Sequence, residues 1–283
     1  MYSDFKWTEI SQIRNSIQRA YEPLQIYFFV ELAGYIEGRS FLDIGANVGS
    51  YSLAMAKLQC IKSVNAFEPM PTLYKELIQN VQLNNLADNV TPCQIALSDR
   101  SGTARFGVIS SYSGANGIVD TLAGGDKKLD SQISVGVESL DLFFEKVSLP
   151  DGPCFIKIDV EGHERAVLVG ASEFLHRDCI LQVEVLSGEQ RPDNVDALLA
   201  EYGYSCFWAI GDDRYYAKPD RCPTAEELLL ILSRAHQSMI DDFRRTEISG
   251  VGTGGAGITR RLGPVQVSLL DPLAGWLRRI AGR

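Results

Sequence analysis

The chain has 283 residues, 45% of them hydrophobic, and a formal net charge of -9. It can bury a sizeable core as one large or two small domains. The acidic balance excludes a body built to grip nucleic acid, because phosphate binding rests on clustered Lys and Arg.

Six cysteines lie far apart with no C-x-x-C pair and read as reduced core residues. No basic start leads into an apolar run, and Gln25 and Glu31 interrupt the apolar stretch Leu24 to Ile36, so a cytoplasmic protein is expected. Ile10, Ile13, Ile17 and Tyr21 recur at helical spacing and Pro23 closes that helix. A second helix is expected over 26–36. Residues 1–39 thus form a helical cap, placed over a pocket or on the outside of a sheet.

Ser40 to Ile44 is strand-like, and Tyr51 to Leu58 is helical. Gly45 and Gly49 lie between them in Phe-Leu-Asp-Ile-Gly-Ala-Asn-Val-Gly-Ser-Tyr-Ser, residues 41–52. A glycine turn from strand to helix is where α/β sheets bind nucleotides: glycine permits positive φ and bare backbone contact. The spacing departs from G-x-G-x-x-G, and Asp43 would repel a pyrophosphate. A cationic cofactor without phosphate, S-adenosylmethionine, suits that carboxylate better than NAD does. A glycine turn that binds nothing is the bland alternative.

Ser63 to Glu68 is a second strand ending in an acid, 25 residues beyond Asp43 and placed to accept ribose hydroxyls. Its alternative role is a helix N-terminal charge. Pro71 opens a helix striped with Leu73, Leu77, Ile78 and Val81. Val90 to Leu97 reads as one strand, with Ile95 and Ala96 beside an adenine, and Thr103 to Val108 as another. Residues 110–132, rich in Ser, Gly and Asp, are long for a connection and read as a substrate-facing loop. Ile133 to Val137 is a short strand and Leu140 to Lys146 a short helix.

Cys154 to Arg165, Cys-Phe-Ile-Lys-Ile-Asp-Val-Glu-Gly-His-Glu-Arg, is an apolar strand that ends in acids. Alternation puts Lys157 and Asp159 on one face, joined by Glu161 if the chain stays extended. Three charges at such a tip serve a ligand or one another, unless Asp159 or Glu161 merely caps the helix from His163. Ile180 to Val185 is the next strand, with Glu184 polar inside it. A helix over 195–202 follows, then a hairpin over 204–218 turning at 211–213.

Residues 40–219 therefore form one α/β domain. Residues 220–248 form a helix opened by the capping box Thr224/Glu227. Residues 249–283 form a glycine-rich linker and a basic amphipathic tail. Residues 244–283 hold seven Arg and two acids, a net +5 against -14 for the rest. The tail helix from Asp271 suits an anionic membrane, an acidic partner or the protein's own acidic body.

These motifs in this order, with Asn65-Ala-Phe-Glu-Pro, Lys157-Ile-Asp-Val-Glu-Gly-His-Glu, Val167-Leu-Val-Gly-Ala and Val183-Glu-Val, resemble the FkbM family of S-adenosylmethionine-dependent methyltransferases. The resemblance covers roughly residues 40–186. It implies a class I methyltransferase, Rossmann-like sheet of about seven strands, the last antiparallel, with helices on both faces. It also implies methylation of hydroxyl groups on sugars, glycans, glycolipids or natural products. Carried over, Asp43, Gly45, Asn47 and Gly49 surround the methionyl part, Glu68 holds the ribose, and Asp159 and Glu161 lie near the transferred methyl.

For the chemistry, Lys157 beside Asp159 makes that carboxylate the weaker base. Asp159 is therefore expected to orient, and Glu161 or His163 to take the hydroxyl proton. No resident metal is expected, although Asp159, Glu161 and Glu184 together offer oxygen ligands. The rivals are an NAD-dependent oxidoreductase, for which the third glycine is missing, and a non-catalytic cofactor-binding module.

Overall fold

A computed structural model describes residues 23–109, 115–121, 129–185 and 194–249, with side chains described over 24–242 of these ranges. The chain divides into two compact units, Met1–Thr246 and Glu247–Arg283, and the architecture below belongs to the first. The expected helix over 5–22 and the tail from 250 onward lie outside the described residues.

The elements run α1 (Pro23–Ile36), β1 (Ser40–Ile44), α2 (Ser50–Ala56), β2 (Ser63–Phe67), α3 (Pro71–Leu83), β3 (Val90–Cys93), β4 (Ala96–Leu97), β5 (Gly102–Val108), β6 (Gly117–Ile118) and β7 (Ser131–Glu138). There follow α4 (Leu140–Phe144), β8 (Cys154–Ile158), α5 (Glu164–Val169), a single 3-10 turn, β9 (Cys179–Glu184), α6 (Val195–Glu201), β10 (Ser205–Ile210), β11 (Asp213–Ala217) and α7 (Ala225–Ser249).

Seven strands form the main sheet in the order β10-β11-β9-β8-β1-β2-β3. All neighbours are parallel except β11, which runs antiparallel to both β9 and β10. The chain steps outward from β1 through β2 to β3, then returns to the other side of β1 as β8. That reversal is the topological switch point, where open α/β sheets place their ligands at the carboxyl ends of the strands.

Alternation sorts the side chains into two layers. Leu42, Ile44, Ile156, Ile158, Leu181 and Val183 join Val167, Leu168 and Leu199 in the core beneath α5 and α6. Phe41, Phe155 and Tyr215 point the other way and meet Phe29 of α1. Phe28, Phe29, Leu32 and Ala33 are fully buried, so α1 packs chiefly against the outer face of the sheet. Its first turn lies near the β10–β11 turn, where Gln25 is beside Gly211. Pro23 opens this helix, where its missing N–H costs nothing.

Two expectations are corrected. Val90 to Leu97 is not one strand: β3 ends at Cys93, and Ala96–Leu97 belongs to a separate four-stranded sheet, β4-β7-β5-β6. Part of the supposed loop 110–132 is ordered strand, because Gly117–Ile118 pairs with Phe106 and Gly107 and β7 begins at Ser131. The small sheet has its own apolar core of Ala96, Phe106, Val108, Ile118, Val135 and Val137, with Met70 packed against it. The last helix runs from Ala225 through Ser249.

Candidate active site

The cofactor loop is shaped by its glycines. Gly45, Asn47 and Gly49 all have positive φ, at 85°, 52° and 93°. A Cβ on Gly45 would lie 1.9 Å from the Asp159 carbonyl oxygen, so the end of β1 rests directly on the turn after β8. Ser52, in the first turn of α2, donates from its backbone N and its Oγ to Asp43 Oδ2, at 2.9 and 2.6 Å. Asp43 is 1% exposed, and its Oδ1 has no hydrogen-bond partner among the described residues. Burial raises its pKa, against the nearby Lys157 ammonium and the Ser52 bonds. An orphaned, buried carboxylate oxygen is costly unless a ligand donor meets it.

Glu68, at the end of β2, accepts from Asn47 N at 2.9 Å through one oxygen and from Met70 N at 2.8 Å through the other. The two bonds hold the carboxylate like a fork, a shape that suits vicinal hydroxyls. Ala96 lies in the core of the small sheet, which adjoins the Glu68 corner through Met70.

Across the switch point, Asp43, Lys157, Gln182 and Tyr215 stand in register on adjacent strands. Lys157 Nζ is 2.8 Å from Asp159 Oδ2 and 4.9 Å from the centre of the Tyr51 ring. Gln182 Nε2 donates to Tyr51 Oη and Asp213 Oδ1, both at 2.9 Å. The buried Lys157 charge is thus matched by the Asp159 carboxylate, as a low-dielectric site demands.

The acids after β8 do not converge by continued extension. Glu161 has φ 56° and Gly162 φ 105°, and this tight turn brings Asp159 and Glu161 beside Glu184 at the end of β9. The three carboxylates each present an oxygen within 4.8 Å of the others. Oxygens so grouped suit a hard divalent cation, but Lys157 already supplies one positive charge. Burial, then the carboxylates of Asp159, Glu161 and Glu164, push Glu184 up to about 10, so it holds a proton at neutral pH. Burial likewise takes Asp213, the register partner of Glu184, up to about 6.

Neither Asp159 nor Glu161 caps α5. The N-cap is His163, and Glu164 accepts from Val160 N and Gly162 N at 3.2 and 2.9 Å, bracing the turn. His163 is 5% exposed. Its Nε2 is 2.9 Å from Ser98 Oγ and its Nδ1 2.7 Å from Thr121 Oγ1, so both ring nitrogens are engaged by the small sheet. Ser98, Thr121 and Gln182 carry no signal in a single sequence, because each acts through a contact that only the fold creates.

Residues 43–206 match the model of the methyltransferase FkbM domain. The chain belongs to that family. Among curated relatives, methyltransferase sdnD of Sordaria araneosa is 28% identical over 64% of this chain and 77% of its own length. The hexuronic acid methyltransferase AglP of Haloferax volcanii is 31% identical over 56% of this chain, and the match spans 60% of its length, less than two thirds. An O-methyltransferase from Bacillus cereus solved with SAH is 15% identical over 69% of this chain and 80% of that one, at a TM-score of 0.42. FkbM methyltransferases draw their methyl group from S-adenosylmethionine. The residues present fit that donor: a buried free carboxylate oxygen on Asp43, close backbone at Gly45 and a held fork at Glu68.

Proposed function

We propose that this FkbM-family methyltransferase methylates a hydroxyl oxygen of a sugar, glycan, glycolipid or natural product, with Glu161 as the base. The observation that carries this reading is the seating of the Asp159–Glu161 turn directly against Gly45, with the carboxylates of Asp159, Glu161 and Glu184 gathered beside it. A relative that methylates hexuronic acid supports a sugar-like acceptor.

S-adenosylmethionine would supply a methyl group activated by its sulfonium and leave as S-adenosylhomocysteine when the S–methyl bond is exchanged for the new C–O bond. Asp43 and the backbone at Gly45, Asn47 and Gly49 would hold the methionyl end, Glu68 the ribose hydroxyls, and Ile95 and Ala96 would lie on the nucleobase side. Much of the acceleration would then come from alignment. Asp159, fixed by Lys157, orients. Glu161 takes the acceptor proton onto a carboxylate oxygen as the new C–O bond forms.

The test is mass spectrometry of host extract incubated with the protein and methyl-labelled S-adenosylmethionine. The expected product is a labelled polar glycan, sugar or natural product whose label survives mild alkali, as an ether does. Label released as methanol would mark a carboxyl ester and overturn the hydroxyl acceptor, and no label at all would overturn methyl transfer. With the product in hand, Glu161→Gln is expected to lose about 10²- to 10⁴-fold in turnover while still binding S-adenosylhomocysteine. Unchanged turnover across pH would remove Glu161 as base.

A further inference from the structure

His163 sits in the acid turn, yet its ring belongs to a different part of the molecule. A neutral imidazole has one N–H donor and one lone-pair acceptor, and the hydroxyls of Ser98 and Thr121 meet both, at 2.9 and 2.7 Å. Both hydroxyls are anchored in the small sheet. Ser98 N donates to Glu138 O of β7, and Thr121 N to Ile118 O of β6, at 3.0 and 3.1 Å. On the other side, His163 directly follows Glu161 and Gly162, the two positive-φ residues of the turn. The Asp159 carbonyl at the start of that turn fills the space where a Gly45 Cβ would be. Contact is therefore continuous from the small sheet through the imidazole and the acid turn to the cofactor loop.

Resting on the methyltransferase reading above, we infer that His163 is a positioning residue, bolted to Ser98 and Thr121, that sets the Asp159–Glu161 turn against the Gly45 loop. The imidazole takes no proton from the acceptor. It transmits the placement of the small sheet to Glu161 and to the backbone on which the cofactor loop rests.

The experiment is calorimetry of S-adenosylhomocysteine binding to the full chain, with melting curves to confirm folding. The variants are Thr121→Val, His163→Ala, His163→Gln and the double Thr121→Val/His163→Ala. Thr121→Val and His163→Ala are each expected to weaken binding roughly 5- to 50-fold, the range for a buried hydrogen bond left unmade. The double variant is expected to bind no worse than the weaker single, because the two residues act as one unit. His163→Gln, whose amide offers a donor and an acceptor, recovers part of the loss. In labelled extract it methylates more slowly than wild type, with a pH profile of unchanged shape.

Wild-type affinity in both single variants, or losses that simply add, would overturn the positioning role. A pH profile that loses its low-pH fall in His163→Gln would make the imidazole the base instead. Failure of the wild-type chain to bind S-adenosylhomocysteine would overturn the methyltransferase reading itself, and this inference with it.

Discussion

Gly45 has room for a hydrogen and nothing larger. Alanine there would put its Cβ 1.9 Å from the Asp159 carbonyl oxygen while holding a φ of +85°, so the variant is strained by backbone and by contact at once. Gly45→Ala is expected to lose about 2 kcal/mol or more of stability, read as a lowered melting temperature, and to lose S-adenosylhomocysteine affinity in calorimetry. Normal affinity would mean that the loop can part from the acid turn. Gly49 shares the backbone strain, at φ +93°, and differs only in contact, because the nearest atoms to its Cβ are the side-chain tips of Leu77 and Leu53. Asp43, Gly45, Glu68 and Asp159 were legible in the sequence because each sits where a strand stops, and a charge or a glycine there breaks an apolar pattern. Ser98 and Thr121 were not, since they reach His163 across 65 and 42 residues of chain, and an isolated hydroxyl in a turn looks like any other.

The ends of β8 and β9 form an electrostatic unit of their own. Burial and neighbouring carboxylates raise Glu184 from 4.5 to about 10, so the folded state keeps a proton that the unfolded chain releases. The associated stability is fully present below about pH 4.5 and is lost as pH rises toward 10. Glu184→Gln removes this titration. Its melting temperature is expected to fall less than that of the wild type between about pH 5 and 9, as followed by circular dichroism; parallel curves would show that Glu184 is already ionised. With Lys157 and this proton offsetting the carboxylates, methyl transfer is expected to continue in excess EDTA. Loss of activity restored by magnesium would show instead that the cluster holds a cation.

The elements themselves were read well wherever one periodicity ran uninterrupted, as in β1, β2, α3, β8 and β9. Val90 to Leu97 was misread because both halves are apolar. Pro92, tolerated on the edge strand β3, lies inside the first half, while the departure to the small sheet follows Cys93, where Ile95 N turns back to Cys93 O at 3.0 Å. Periodicity records which face is buried, not which sheet buries it.

At the scale of the molecule, the switch point between β1 and β8 explains why two motifs more than a hundred residues apart act together: register pairs Asp43 with Lys157. The ends of the described chain are also joined. Tyr27 donates to Asp242, Ser238 to Glu31 and Tyr35 to Glu227, tying α1 to α7 over separations of 215, 207 and 192 residues. During synthesis α1 is made well before α7 and can complete these pairings only once α7 has followed. Phe28 and Phe29 lack the shelter of Tyr215 until β11 has been made. The nascent chain thus carries an unfinished apolar face from the time α1 is made until these later elements follow, the interval in which such surfaces aggregate or recruit chaperones.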